Sequence, residues 1–516
     1  MEDPLHPGIH AAAMPDKPAY IMAGSGVVVT YGELETRSNR CARLFRARGL
    51  KKGDSIALCL ENHPWFLAIC WAAHRAGLYY TCIATHLTGP EAAYIVNDCG
   101  ARLFIGSPAR ADVAEGVLAA NTAVEHFLMI DEVRAGFESL EAAIAEQPET
   151  PIADQAPGAD MLYSSGTTGR PKGVRVALSD EPLGTPSPGS QLLADLYRMS
   201  ADSVYLSPAP LYHAAPLRFT MSFLTFGATA VIMERFDPEQ ALALIERHQV
   251  SHSQWVPTMF VRMLKLPEAA RGAHDLSSHQ VAIHAAAPCP VPVKEQMIDW
   301  WGPIIREYYA GTEGNGITVI DSEQWLTHKG SVGRALLGQV RICDEAGEEL
   351  PAGDVGTIHF SDGNDFAYHN DPDKTAAARN RHGWTTLGDV GYVDEEGFLY
   401  LTDRKAHMII SGGVNIYPQE VENLLIAHPK VLDAAVFGIP HPDLGEQVHA
   451  AVQPAAGTPI EDSLEDQLLD FCRANLSHVK CPRSLELMAD LPRQANGKLY
   501  KQKLKDRYWP KSGGKT

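Results

Sequence analysis

The chain is poor in positive charge and has no closely spaced cysteine pairs. Its 516 residues include 44 lysines and arginines against 63 aspartates and glutamates, which gives a net charge of −19. An acidic surface repels nucleic acid and anionic membranes, so we expect neither as a partner. The nine cysteines form no Cys-x-x-Cys pair and several lie in apolar surroundings. This usage predicts free, buried thiols in a reducing cytoplasm.

Export and membrane signals are lacking as well. Residues 1–18 have no basic start followed by an apolar core, so we predict no secretory signal. The most apolar long stretch, residues 64–85, contains His74 and Arg75 near its middle. That pattern predicts a buried helix leading to a strand, without integral membrane association. We therefore expect a cytoplasmic protein.

Length and periodicity indicate an α/β fold with more than one domain. A chain of 516 residues is too long for one core, so a large domain and at least one smaller domain are expected. From residue 29 to 105, helical and strand patterns alternate, which predicts layered structure with largely parallel strands. The predicted elements are a helix after Thr30 as N-cap, strand 55–60, helix 65–76, strand 79–83, helix 89–97 and strand 101–105.

Two further segments have a predicted local structure. Residues 178–190 are rich in proline, glycine and serine, which predicts a loop long enough to act as a flap. Residues 387–404 predict a strand, a turn at 394–397 and a second strand.

The segment at residues 163–174, Tyr-Ser-Ser-Gly-Thr-Thr-Gly-Arg-Pro-Lys-Gly-Val, suits a loop around a polyphosphate. Glycines let backbone N–H groups approach an anion, hydroxyls add donors and a lysine adds charge. In the commonest phosphate loop the lysine opens a helix, whereas here Lys172 follows Pro171 and is predicted to start a return strand. A polar surface hairpin has a similar composition. The predicted phosphate-binding residues are Ser164, Ser165, Gly166, Thr167, Thr168, Gly169 and Lys172.

The order of residues in this segment resembles the signature of the adenylate-forming superfamily, which includes acyl-CoA synthetases, adenylation domains and luciferases. Further motifs in family order extend the resemblance over nearly the whole chain, and the overall similarity is to the fatty-acid–CoA ligase branch. The resemblance implies a large N-terminal domain of layered α/β subdomains with mixed sheets and a small, mobile α+β C-terminal domain. The implied domains are 1–403 and 404–516, with a hinge near 403–406. Ala406 stands where the family commonly has Asp or Lys.

Residues 309–313 resemble the family motif that binds the adenine and the phosphates. The resemblance implies that the ring of Tyr309 lies against adenine, Thr312 contacts the phosphates and Glu313 helps to hold Mg²⁺. These residue types suit the task, because a hard cation prefers carboxylate oxygen and adenine prefers a flat apolar face. A lone Thr-Glu would more often be a helix cap. Ala310 replaces the family glycine.

Three more residues are implied to complete the nucleotide site. Ala286, in a run of small residues at 285–288, resembles the turn that packs on adenine and borders the acyl pocket. Asp389 resembles the aspartate that binds the ribose hydroxyls, and Arg404 the arginine that contacts the ribose and phosphates. Without the family motifs, Ala286 would be interpreted as part of a tightly packed turn, Asp389 as an aspartate in a turn and Arg404 as an exposed surface charge.

The remaining implied residues serve the reacting groups. His213 resembles the histidine between the nucleotide and the acyl pocket, and it is partly neutral near pH 7. Lys498 resembles the lysine that reaches the α-phosphate and the carboxylate. Ser411, Gly412 and Gly413 resemble the loop that lines the tunnel for the pantetheine arm of coenzyme A, although a plain hairpin turn suits these residues too.

The implied activity is that of an ATP-dependent acyl-CoA ligase, with Mg²⁺ as cofactor and coenzyme A as co-substrate. The small-molecule partner is a carboxylic acid, and a homodimer is left open. The expected acyl pocket near His213 and residues 255–260, 285–289 and 311–316 shows no obvious arginine or aspartate, which favours an apolar acid. A fatty or similarly bulky acid is the first expectation and an aryl acid such as a benzoate or cinnamate is the second. Loading of a carrier protein, luciferase-type oxidation and an inactive nucleotide-binding regulator are the other readings.

Overall fold

A computed structural model describes residues 5–120, 122–164, 171–186, 188–404, 407–412, 414–455, 457–458, 462–493 and 499–509. The chain forms two compact units. The first unit comprises Met1–Gln254, Gly272–Ala282 and Phe366–Thr375, and the second comprises Trp255–Arg271, Ile283–Asp365 and Ala376–Thr516. The predicted domain boundary at 403–406 stays a prediction.

The helices follow the amphipathic segments of the sequence, and several begin at a side-chain cap or a proline. They are α1 (Pro7–Ala13), α2 (Tyr31–Ala47), α3 (Phe66–Arg75), α4 (Gly89–Asp98), α5 (Ala111–Ala119), α6 (Leu140–Ala145), α7 (Pro188–Tyr197), α8 (Ala214–Thr225), α9 (Pro238–His248), α10 (Pro257–Leu264), α11 (Glu268–Arg271), α12 (Val291–Trp301), α13 (Ser322–Thr327), α14 (Pro372–Ala377), α15 (Pro418–Ala427), α16 (Asp462–Asn475) and α17 (Lys501–Lys505).

The strands are short and are distributed over the whole chain. They are β1 (Pro18–Met22), β2 (Val28–Thr30), β3 (Ser55–Cys59), β4 (Tyr79–Cys82), β5 (Ala101–Gly106), β6 (His126–Met129), β7 (Glu138–Ser139), β8 (Ala159–Asp160), β9 (Tyr163–Ser164), β10 (Lys172–Arg175), β11 (Val204–Ser207), β12 (Thr229–Ile232), β13 (His252–Trp255), β14 (Val281–His284), β15 (Ile305–Ala310), β16 (Ile317–Asp321), β17 (Ser331–Leu337), β18 (Gln339–Cys343), β19 (Gly356–Ser361), β20 (Ala367–Tyr368), β21 (Thr385–Val393), β22 (Leu399–Arg404), β23 (Ile409–Ser411), β24 (Val414–Ile416), β25 (Val431–His441), β26 (Gly445–Pro454) and β27 (Ser484–Leu487).

The first unit contains a parallel sheet in the order β7-β6-β5-β3-β4-β8. Strand β3 is buried along its whole length, as expected of a strand covered on both faces. The alternating helices and strands predicted between residues 29 and 105 are all present. Thr30 caps α2 through a capping box with Glu33, in which each side chain accepts the other residue's backbone N–H.

Two more groups of strands belong to the first unit. Strands β1, β11, β12 and β13 pair in parallel, and β2 joins β1 in antiparallel orientation. Strand β10 lies between β9 and β20 in a small antiparallel sheet.

The second unit is mainly antiparallel. Strands β15 to β19, β21 and β22 pair in the order β18-β19-β21-β22-β17-β16-β15. A second sheet has the order β24-β23-β26-β25, with β27 parallel to β26. Together the two units confirm an α/β fold with mixed sheets.

The prediction of free thiols is confirmed, and two local details differ from the expectations. All nine cysteines are free, and Cys289 alone is only partly buried. Among the described residues, no helix has both the length and the apolar character needed to cross a bilayer. The loop predicted over 178–190 is too long at its C-terminal end, because α7 begins at Pro188. Proline is well tolerated in the first turn of a helix, where its missing N–H costs nothing.

Candidate active site

The base of the predicted phosphate loop is an antiparallel hairpin in the first unit. Lys172 pairs with Ser164 across β10 and β9, and Gly173 pairs with Tyr163. Lys172 therefore starts a return strand, as the proline before it predicts. A Cβ atom on Gly173 would lie 2.8 Å from Cζ of Tyr163, so only glycine fits beside this ring. Ser165, Gly166, Thr167, Thr168 and Gly169 lie outside the described residues.

The side chain of Lys172, at the end of this hairpin, contacts an aromatic ring. Nζ of the half-buried Lys172 lies 4.8 Å from the ring centroid of Tyr368, within the range of a cation–π contact. Tyr368 belongs to β20, which pairs with β10, and the backbone N–H of His369 donates a 2.8 Å hydrogen bond to the carbonyl of Gly173. The contact fixes the ammonium group of Lys172 near the start of β10.

His213 occupies the N-cap position of α8. Its backbone is extended, with φ −94°, and its ring lies 4.5 Å from that of Tyr212 at an angle of 61°. The imidazole is half-buried. The predicted strand-to-helix turn is thus present in the first unit, and the role of His213 as a gate stays a prediction.

In the second unit, a hydrogen bond joins two of the predicted nucleotide-binding residues. The hydroxyl of Tyr309 donates a 2.7 Å bond to Oδ2 of Asp389, which is 7% exposed. The ring of Tyr309 is stacked on that of Phe360, with centroids 6.2 Å apart. Arg404 pairs with Asp389 across β22 and β21. Tyr309, Asp389 and the backbone of Arg404 therefore lie close together, and their contacts with adenosine stay a prediction.

Thr312 and Glu313 lie in a tight turn directly after β15. The turn is closed by a 3.2 Å hydrogen bond from the N–H of Gly314 to the carbonyl of Gly311. Gly314 has φ +66°, a conformation that favours glycine. The turn holds Thr312 and the half-buried Glu313 together next to Tyr309, in the order that the sequence predicts.

The side chains around Glu313 suit Mg²⁺, which needs few protein ligands, better than a metal ion that is coordinated entirely by protein side chains. Within the described residues there is no cluster of three or more His, Cys, Asp or Glu side chains that could hold a metal ion. Mg²⁺ is usually bound by one or two carboxylates together with substrate phosphates and water. A single carboxylate in a turn suits that mode of binding.

The small-residue turn after β14 has an unusual backbone. Ala286 has φ +77°, in the left-handed region that residues other than glycine seldom adopt. Its methyl group is exposed. An exposed, small side chain on a constrained backbone allows a flat group to approach closely, which agrees with the predicted contact to adenine.

The predicted coenzyme A loop joins β23 to β24. Ser411 is 6% exposed and pairs with Val414, which makes the segment a hairpin. Gly412 has φ +56°, and its N–H donates a 2.9 Å hydrogen bond to the carbonyl of Leu444. Gly413 and Lys498 lie outside the described residues.

A buried ionic cluster that was not predicted from the sequence lies beside the Ala286 turn. Lys294 and Glu307 form an ion pair, and Oε2 of Glu307 lies 3.5 Å from Nε2 of His284. All three side chains are at most 5% exposed. Burial and the charge of Lys294 hold the pKa of His284 well below its ordinary value. The sequence carries no separate signal for Lys294 or Glu307, because their burial on the inner face of α12 and in β15 appears only in the structure.

An aromatic cluster adjoins the same turn. The ring centroids of Trp255 and Phe260 lie 5.6 and 5.9 Å from that of Trp301. Phe260 also packs edge-on against His284 at 5.4 Å. Residues 255–260 contain no ionisable side chain. This part of the second unit is therefore apolar where the acyl group is expected.

Comparison with known proteins shows the family. The model of the AMP-binding enzyme family matches residues 9–364, and that of the AMP-binding enzyme C-terminal domain matches residues 420–498. A feruloyl-CoA synthase from an Amycolatopsis species is 34% identical over 94% of both chains. A long-chain-fatty-acid–CoA ligase, FadD13, of Mycobacterium tuberculosis is 30% identical over 96% of this chain and 97% of its own.

A solved structure agrees with these relatives. The ATP-bound MatB of Rhodopseudomonas palustris superposes with a TM-score of 0.80 and is 30% identical, with 98% of this chain and 99% of that chain covered. The matched lengths agree with a large N-terminal and a small C-terminal domain. The chain belongs to the AMP-binding enzyme family and is an AMP-forming acid–CoA ligase.

Proposed function

We propose that the enzyme converts a bulky hydrophobic carboxylic acid into its acyl-adenylate and then into its coenzyme A thioester. The observation that carries this proposal is the lack of an available charge where the acyl group is expected. Residues 255–260 and 285–289 contain no Asp, Glu, Lys or Arg, and the one charged residue in 311–316 is Glu313, which is assigned to Mg²⁺. The buried Lys294 and Glu307 nearby neutralise each other. A second carboxylate on the substrate would therefore be buried without a counter-ion, which is costly.

The first step forms the mixed anhydride. A carboxylate oxygen of the acid attacks the α-phosphorus of ATP, an O–P bond forms, and the bond to the β-phosphate oxygen breaks to release pyrophosphate. The loop at 164–169 and Lys172 hold the leaving pyrophosphate, while Lys498 stabilises charge on the α-phosphate. Glu313 would hold Mg²⁺ together with the phosphates, and the ion would neutralise part of their charge. Such reactions depend mainly on positioning and on charge stabilisation.

The second step transfers the acyl group. The thiol sulfur of coenzyme A attacks the carbonyl carbon of the acyl-adenylate, a C–S bond forms, and the C–O bond to AMP breaks as the thiol proton is lost. Residues 411–413 line the path of the pantetheine arm. A rotation near residues 403–406 exchanges Lys498 for this loop between the two steps.

The second candidate substrate is an aryl acid. The aromatic cluster of Trp255, Phe260 and Trp301 offers flat faces and ring edges, which suit an aromatic ring as well as an alkyl chain. The feruloyl-CoA synthase among the relatives supports this candidate.

Activity assays with a panel of fatty acids and cinnamate- or benzoate-type acids distinguish the two candidate substrate classes. Release of AMP is measured with and without coenzyme A, and the thioester is identified by mass. We expect thioester from hydrophobic monoacids and none from dicarboxylic acids of similar length. Thioester formation with none of the monoacids would contradict the proposal, and AMP release without thioester would indicate loading of a carrier protein.

The role of Lys498 is tested by separating the two steps. We expect Lys498→Ala to reduce pyrophosphate release from acid and ATP sharply. Thioester formation from presynthesised acyl-adenylate should stay largely intact. Equal loss in both assays would overturn the assigned role.

A further inference from the structure

An ion pair lies on either side of residues 494–498; the first is partly buried, with Arg493 21% exposed, and the second is buried. Before this segment, Arg493 forms a bidentate pair with Asp433. Its Nη2 donates a 2.6 Å hydrogen bond to Oδ1, and its Nε donates to Oδ2. Asp433 is 7% exposed and lies in β25. A bidentate arginine–carboxylate pair fixes direction as well as distance.

After this segment, Lys501 forms the second pair. Its Nζ lies 2.8 Å from Oε1 of Glu422, and both side chains are 6% exposed. The same oxygen accepts a 2.7 Å hydrogen bond from the N–H of Val436, which also belongs to β25. Glu422 therefore ties the first residue of α17 to the middle of strand β25.

The backbone holds the two ends of the segment together. Arg493 and Leu499 form an antiparallel bridge, and the N–H of Tyr500 donates a 2.7 Å hydrogen bond to the carbonyl of Pro492. Leu491 and Leu504 pack into one apolar cluster around Phe437 of β25. Both ends are thus fixed to the same strand by charge, hydrogen bonds and apolar packing.

Stability alone does not explain these pairs. Removing two charges from water is expensive, and a buried ion pair is often no more stabilising than apolar residues of the same size. What such a pair does provide is a defined register, because a charge displaced from its partner would be left buried and uncompensated. Lys501 is the third residue after Lys498. The position at which Lys501 is held therefore determines where the chain continues after residues 494–498.

We propose that the pairs Lys501–Glu422 and Arg493–Asp433 are positioning pairs that set the place of Lys498 for adenylate formation. The inference rests on the role proposed for Lys498 above. It predicts that the pairs matter for the first half-reaction and not for the second, in which Lys498 takes no part. A merely structural role would affect both half-reactions alike.

The test uses the full-length enzyme and assays the two half-reactions separately. We expect Lys501→Met to reduce acid-dependent ATP–pyrophosphate exchange by about 100-fold, the scale of loss for a misplacement of about 1 Å. Thioester formation from presynthesised acyl-adenylate should stay within about twofold of wild type, because it needs no positioned Lys498. Lys501→Arg keeps the charge and should recover much of the exchange activity. Lys503→Met is the matched control, because Lys503 is an exposed lysine in the same helix.

The double variant Lys501→Met/Glu422→Gln guards against misfolding, since it leaves no unpaired charge in the core. It should unfold near the wild-type temperature and still lack exchange activity. Normal exchange in this folded variant, or equal loss of both half-reactions in Lys501→Met, would overturn the inference.

If Lys498→Ala abolishes exchange while Lys501→Met does not, the positioning role fails and the proposed function stands. If wild type forms no adenylate with any acid, the proposed function itself fails.

Discussion

The hydroxyl group of Tyr309 donates a 2.7 Å hydrogen bond to Oδ2 of Asp389. The bond connects the end of β15 to β21, two strands that are not neighbours in the sheet. It fixes the plane of an aromatic ring relative to a buried carboxylate. The ring that is proposed to contact adenine and the carboxylate that is proposed to bind the ribose hydroxyls are thereby held in one orientation.

Replacing Tyr309 with Phe should weaken ATP binding without removing the ring. The bond lies within the protein, so its loss acts on ATP binding only through the lost orientation of the ring and the carboxylate. A hydrogen bond to a charged group contributes about 1.5–3 kcal/mol, and about 1.4 kcal/mol of it passed on to binding is a factor of 10. We expect the KM for ATP in pyrophosphate exchange to rise about 10-fold, with a smaller change in kcat. Tyr400→Phe is the control, because Tyr400 donates a comparable 3.1 Å bond to Asp394 in the same unit. An equal rise in KM in both variants would contradict the assignment.

Gly311→Ala tests the turn that carries Glu313. A Cβ atom on Gly311 would clash with Cδ1 of Leu387 and lie 2.7 Å from Oε2 of Glu313, so the turn or its neighbours must move. We expect a loss of adenylate formation of about 100-fold, because displacement of a positioned group by about 1 Å has that effect. Kinetics at several Mg²⁺ concentrations should show a raised magnesium requirement.

Leu387→Ala is the substitution that should relieve the clash created by Gly311→Ala. In the double variant Gly311→Ala/Leu387→Ala the nearest contact is gone, and part of the activity should return. A Gly311→Ala enzyme with wild-type rates would show that the position of the Glu313 carboxylate is unimportant.

Structural features that depend on neighbouring residues could be predicted from the sequence. Features that depend on residues far apart in the chain could not. The capping box of Thr30 and Glu33, and the return strand at Lys172, follow from residues within one turn of each other. By contrast, Tyr309 and Asp389 are 80 positions apart in the chain. A family motif named both residues, but no local pattern predicts the bond between them.

Buried charges were the hardest features to predict. Lys294, Glu307, Glu422 and Lys501 each resemble ordinary surface charges when taken singly, because such residues are seldom fully buried unless they are paired. Their partners become visible only when helices and strands pack. The start of α7 at Pro188 was missed for a different reason, since proline, glycine and serine favour loops on average but also begin helices.

The ring of Tyr368 should matter to adenylate formation through Lys172. Its centroid lies 4.8 Å from Nζ of Lys172, and a cation–π contact contributes about 0.5–2 kcal/mol. We expect Tyr368→Leu to lower kcat/KM for ATP in the exchange assay by about fivefold. Tyr368→Phe keeps the ring and should stay close to wild type. Equal losses in the two variants would show that the hydroxyl group, and not the face of the ring, is responsible.

His279 should make the stability of the first unit sensitive to acid. It is 5% exposed, and its Nε2 lies 2.6 Å from Oγ of Ser253. Burial, together with the nearby His252, lowers the pKa of His279 from 6.5 to about 3. Between these two values the unfolded chain binds a proton that the folded chain does not bind. The free energy of unfolding therefore falls as the pH drops below 6.5, and this contribution is fully present above it.

The expected slope for this one group is about 1.4 kcal/mol per pH unit in the acid range. Chemical denaturation at pH 7, 6 and 5 measures the slope in wild type and in His279→Gln, which cannot take up the proton. We expect the variant to be less stable at pH 7, because the packing of the ring is lost, but to lose less stability on acidification. His478→Gln, at an exposed position, is the matched control. An unchanged slope in His279→Gln would mean that this histidine is not the group that the unfolded chain protonates.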